Sequence, residues 1–226
     1  MLTRMSLARP ALVSSSPVAA PVAAPVVGAA RVLAGATVVV VLGYGYIEGI
    51  GHNRTNPLDY FGYFTNLTSL LTSGILISCG LRTIRGRPAD ARLVLARAAS
   101  IACMIVVAVV YNGIVPGTAA APPWVSATLH AALPIAVVLD WLLVGDWPPL
   151  SWRLIWIVLP YPLLWLAVVL VRGATDGWVP YGSLLPERGA ASLAVTAAGL
   201  LAMLLVGAAA VWGGSRLTGV RGALRR

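Results

Sequence analysis

AASLAVTAAGLLAMLLVGAAAVW, residues 190–212, runs for 23 positions without a charged side chain. At ~1.5 Å of rise per residue, a helix of that length crosses a hydrocarbon core ~30 Å thick. Five more segments read the same way: 32–50, 60–81, 93–115, 124–144 and 154–171. The last carries Pro160 and Pro162, so a five-span chain with that segment re-entrant is the alternative. None of the six alternates apolar with polar residues as the strands of an outer-membrane barrel do. The sequence therefore predicts an all-α polytopic membrane protein, a six-transmembrane-helix bundle.

The composition agrees: 226 residues are 59% hydrophobic and only 10% charged, with a mean hydropathy of +0.87. A soluble domain carries about 25% charged residues. The net charge of +9 comes from sixteen arginines and no lysine. These sit between apolar runs rather than on a polar, aromatic-bearing face, so no nucleic acid is expected as a partner. Cytoplasmic loops keep positive charge. With the N-terminus inside, Arg4, Arg9, Arg31, Arg82, Arg85, Arg87, Arg92, Arg97, Arg153, Arg216, Arg221, Arg225 and Arg226 share the inner side, against Arg54, Arg172 and Arg188 outside. Both termini are thus expected in the cytoplasm and the protein in the plasma membrane.

Residues 1–31, broken by Pro10, Pro17, Pro21 and Pro25, read as a disordered tail without the unbroken apolar region of a secretory signal. Residues 213–226 read as a basic cytoplasmic tail flanking the domain 32–212. The loop RTIRGRPADAR (82–92) suits contact with anionic lipid headgroups. GATDGWVPYGSLLPERG (173–189) reads as an interfacial segment or a lid over the bundle. Cys79 and Cys103 lie inside apolar runs, which offers no disulfide framework and no zinc site and leaves both as inert thiols. One intramembrane His cannot give paired haem ligation, and no cofactor is expected. No charge is expected at mid-depth, which argues against ion conduction.

Polar side chains inside spans are the functional candidates. The second span carries Thr65, Thr68 and Thr72 on one stripe with Gly62, Asn66, Ser69 and Ser73 beside it, leaving Leu67, Leu70, Leu71 and Ile75 for lipid. Small and hydroxyl residues also serve plain helix packing. His130 stands alone within a span. Pro134 lacks the amide hydrogen that would bond the His130 carbonyl, and Pro116 does the same to Asn112, so each frees an acceptor beside a polar side chain. By helix rise, Thr65 and His130 sit at similar depth, with Tyr111, Asn112 and Glu48 near the same surface. A Thr hydroxyl needs a base to become a nucleophile, His is the usual base, and Asn66 or Asn112 could donate to an oxyanion. Asp140 lies too far along the helix to orient the imidazole.

YFGYFTNLTSLL (60–71) and LHAALPI (129–135) resemble the two signature spans of the androgen-induced family of six-helix membrane hydrolases, which cleave fatty acid esters of hydroxy fatty acids with an intramembrane Thr and His. The resemblance implies Thr65 as nucleophile and His130 as base, with a lipid ester as substrate and membrane lipids as partners. Thr68 and Ser69 are further hydroxyls in the same stretch. YNGIVP (111–116) and RGATDGWVPY (172–181) also look like segments of uncharacterised bacterial six-helix membrane proteins. A lipid or small-molecule binder or transporter without catalysis is the alternative reading, and helix packing alone is the third.

Overall fold

The computed structural model describes residues 23–87 and 89–217. It contains six helices long and apolar enough to cross a membrane: α1 (Ala23–Ile50), α2 (Phe64–Ile84), α3 (Ala91–Ile114), α4 (Pro123–Val144), α5 (Trp152–Thr175) and α6 (Pro186–Gly214). No strand occurs among the described residues. α3 is the most enclosed, and its Ile101, Ala102 and Met104 meet Leu42, Trp141 and Trp212 in the core.

Three boundaries differ from the sequence reading. α1 starts at Ala23, so residues 23–31 are helix rather than tail. Pro25 falls in the first turn, where no intrahelical bond is asked of its nitrogen. Of the two expected tails, 1–22 and 218–226 lie outside the described residues. The prolines of the fifth segment act likewise, since a 3-10 turn (Trp152–Val158) hands over to regular helix starting at Pro160, and the whole is long and apolar enough to cross a membrane. The second segment is two pieces. A short helix, Pro57–Gly62, is capped by Asn56 onto the Leu58 amide at 3.0 Å. The chain turns at the extended Tyr63 before α2 begins. The aromatic run YFGYF is apolar enough to hide that corner in a hydropathy reading. Asn66 braces it by donating to the Tyr60 carbonyl at 2.8 Å.

α1 lies densely on α2. A Cβ built on Gly28 would stand 2.8 Å from the Gly80 carbonyl oxygen, and one on Gly35 would stand 2.7 Å from that of Ser73. Backbones this close require small residues at the seam, the means by which helices associate in lipid. Ser73, Ile77, Gly80 and Ile84 thereby face α1, while Thr68 meets Tyr161 of α5. Thr65, Ser69, Thr72 and Leu76, at i, i+4, i+7 and i+11, lie between those two faces and are buried.

The arginine-rich end holds an ion quartet. Arg31 reaches Asp140 at 3.0 Å and Asp146 at 2.6 Å, and Arg97 contacts the same two carboxylates. The two arginine side chains are only 3% and 4% exposed. Thr83 accepts from Arg31 at 3.2 Å, and Trp147 stacks on the Arg97 guanidinium at 4.1 Å. Burial alone would raise the Asp146 carboxyl, but the Arg31 hydrogen bond and the Arg97 and Arg31 charges outweigh it and hold it below its ordinary value. Arg31, Arg97 and Asp140 lie within helices but at their arginine-rich end, where all three are drawn into one cluster with Asp146. Two cations inside apolar helices are tolerable because two carboxylates meet them.

At the opposite end, the 173–189 segment folds down onto the corner before α2. Arg172 ties Asp59 at 2.8 Å to Asp176 at 2.7 Å and stacks on Trp178 at 4.2 Å. Trp178 lies so close over Gly62 that a Cβ there would meet its ring at 2.4 Å. Gly62→Ala should therefore push Trp178 off the corner, at a cost of about 1–3 kcal/mol. Protease cleavage between Asp176 and Tyr181 should accelerate while the spans stay protected. Unchanged cleavage would count against that contact holding the segment down.

Candidate functional site

The site begins with two prolines. Pro134 cannot bond the His130 carbonyl, and α4 widens there into a π-turn, Thr128–Ala132, in which the Leu133 amide donates to Thr128. α3 widens in the same way over Val110–Ile114, just before Pro116, with the Val115 amide donating to Val110 at 3.0 Å. Single π-turns inside α-helices recur at functional sites. The two widened turns touch: the Asn112 side-chain amide donates to the released His130 carbonyl at 2.8 Å and to the Ala108 carbonyl at 2.8 Å. Both its hydrogens are committed, so Asn112 is a clasp between helices and not an oxyanion donor.

The imidazole is held from two sides. His130 Nδ1 lies 2.9 Å from the Ser126 carbonyl oxygen and 3.2 Å from its hydroxyl. The Ser126 hydroxyl donates to Tyr111 at 2.7 Å, and the Tyr111 ring stacks on the imidazole at 3.7 Å between centroids. A carbonyl can only accept, so Nδ1 carries the proton and Nε2 presents its lone pair. Among the described residues Nε2 has no hydrogen-bond partner. The orienting group that the sequence reading sought in a carboxylate is thus a backbone carbonyl one turn earlier. Ser126 was missed, although its place four residues before His130 on a helix was the available signal.

The hydroxyls of α2 have separate fates. Thr65, in the first turn, lies beside the Tyr181 phenol, which also approaches the free amides of Phe64 and Thr65. Tyr181 thus caps α2 from a distant segment, since the N-cap residue Tyr63 supplies no side-chain bond. Burial pushes the Tyr181 phenol up to about 12, against the lowering effect of those contacts. Thr68 bonds Tyr161 at 2.7 Å. Ser73 turns back to the Ser69 carbonyl at 2.7 Å. The buried Ser69 and Thr72 hydroxyls have no hydrogen-bond partner among the described residues.

α1 serves as a ruler between α2 and α4. Gly28 opposes Gly80 and Gly35 opposes Ser73 on α2. On α4, Tyr44 meets Trp124 at 4.9 Å, Gly45 meets Val125 and Arg31 meets Asp140. Counting residues along α1, His130 falls level with Thr68 and Ser69, and Thr65 lies about one turn, ~5 Å, nearer the helix end. No hydrogen bond joins Thr65 to His130 among the described residues. Of the residues singled out from sequence, Tyr111, Asn112 and His130 come together on α3 and α4, with Ser69 facing inward at their depth. Thr65, Thr68 and Asn66 are engaged by Tyr181, Tyr161 and Tyr60. Compared with protein-family models, characterised proteins and solved structures, the chain matches none.

Proposed function

We propose that this multi-pass membrane protein is a lipid-ester hydrolase of the plasma membrane, with both termini cytoplasmic and its site in the outer half of the bilayer. The lopsided arginine distribution supports that orientation. The observation that carries the catalytic reading is the fixed imidazole: Nδ1 held on the Ser126 carbonyl, Nε2 unbonded, level with a buried hydroxyl that has no partner. An oriented base level with a buried alcohol is a starting arrangement for nucleophilic acyl transfer.

On this reading Ser69 Oγ attacks the ester carbonyl carbon while its proton passes to His130 Nε2. The alcohol half leaves with that proton, and the acyl group stays on Ser69. Water then attacks the acyl carbon, gives its proton to Nε2, and the fatty acid departs as the proton returns to Ser69. The unpartnered Thr72 hydroxyl supplies a donor for the transient oxyanion. Ser69 rather than Thr65 is the favoured nucleophile because its buried hydroxyl is level with the base, whereas Thr65 lies a turn away beside Tyr181.

An alkyl fluorophosphonate tests this on the full chain in lipid nanodiscs. The expected result is a covalent adduct on the peptide bearing Ser69, lost in both Ser69→Ala and His130→Ala. Saturable retention of a lipid ester with neither adduct nor product would instead establish a binding protein without catalysis.

A further inference from the structure

α1 packs tightly on α2 but only lightly on α4. Where α1 and α4 part, a groove of about 410 Å³ opens to the side, lined by Leu33, Ala36, Thr37, Val40, Tyr44 and Trp124, with Val41 at its floor. Val40 is 70% exposed whereas Val41 is 6% exposed, so the groove runs from the lipid-facing surface to the edge of the core. Its lining is apolar except for Thr37, and the Tyr44–Trp124 pair closes one end. Aromatic pairs of this kind sit at the headgroup level of membrane proteins. Along α1, His130 falls level with Val38 and Val41, which puts the groove floor and the imidazole at one depth on the two sides of the α1–α4 seam.

We propose that this groove seats a single acyl chain of a membrane lipid, lying along α1 with its polar end under Tyr44 and Trp124. The spans place the groove inside the hydrocarbon layer, where acyl chains are the surrounding medium. A concave apolar surface beside small Ala36 removes more of a chain from disordered lipid than a convex helix face does. The inference rests on and deepens the hydrolase reading, since it names a seat for the acyl chain of a substrate at the depth of the imidazole. It also stands apart from that reading, because a chain can bind without being cleaved.

The test uses an ether-linked phospholipid that cannot be hydrolysed, bearing a diazirine midway along one chain, in vesicles of phosphatidylcholine and phosphatidylglycerol containing the full-length protein. After irradiation, adducts should concentrate on peptides holding Leu33 to Tyr44 and Trp124. The expected excess over the exposed face of α6 around Val195 and Val206 is about fivefold, the ratio given by ~1 kcal/mol of preference. Ala36→Trp should fill the groove and erase the excess, whereas His130→Ala should leave it intact. Even labelling of all six spans, an excess that survives Ala36→Trp, or cross-links to a second copy of the chain would overturn the proposal. Labelling of the groove in a protein that forms no fluorophosphonate adduct would retain the seat and discard the chemistry.

Discussion

Asp140→Leu should destabilise the bundle by about 3–5 kcal/mol, because it leaves two buried guanidiniums to share the single carboxylate of Asp146. Arg31 and Arg97 would then carry unbalanced charge inside apolar helices, and neither can lose its proton as a buried lysine can. Arg97→Leu alone should cost a similar amount by leaving Arg31 to balance both carboxylates and removing the platform on which Trp147 stacks. The double variant Arg97→Leu/Asp140→Leu should recover most of the loss, since a buried pair replaced by well-packed apolar groups is often neutral. Unfolding of the four proteins in mixed micelles against increasing SDS measures this. Strictly additive losses in the double variant would refute the coupling.

Turnover should separate the α2 hydroxyls even more sharply. In the proposed mechanism Ser69→Ala and His130→Ala each remove a group that bonds or protonates the reacting ester, so each should lower the hydrolysis rate by at least about 10³-fold. Groups that act as a unit are not additive, so the double variant should be little worse than either single one. Thr65→Ala loosens the Tyr181 cap and should cost no more than about tenfold, together with a lower melting temperature. Steady-state cleavage of a fluorogenic lipid ester by the four proteins reads this directly. If Thr65→Ala were the silent variant and Ser69→Ala fully active, the nucleophile would lie a turn nearer the membrane surface, as the family resemblance implies.

The spans were legible because crossing a bilayer sets a length that the apolar runs meet one by one. The widened turns were legible because a proline deletes a named amide: Pro134 and Pro116 pointed to His130 and Asn112 before any contact was known. What could not be read were pairings between positions far apart in the chain. Arg31 meets Asp140 across 109 residues, and arginines in apolar segments look the same whether they snorkel to a headgroup or find a carboxylate. The depth of Thr65 was misjudged for a local reason, since a helix assumed to begin at Tyr60 bends at Tyr63 and restarts at Phe64. Tyr181 and Ser126 escaped because a cap supplied by another segment and an orienting carbonyl leave no mark of residue type.

The Asn112 clasp has a mechanical consequence. One hydrogen of its amide grips α3 and the other grips α4 at the very joint that Pro134 softens. The two softened joints are therefore geared like meshed cogs: a swing of the α4 joint either breaks this clasp or turns the tip of α3 with it.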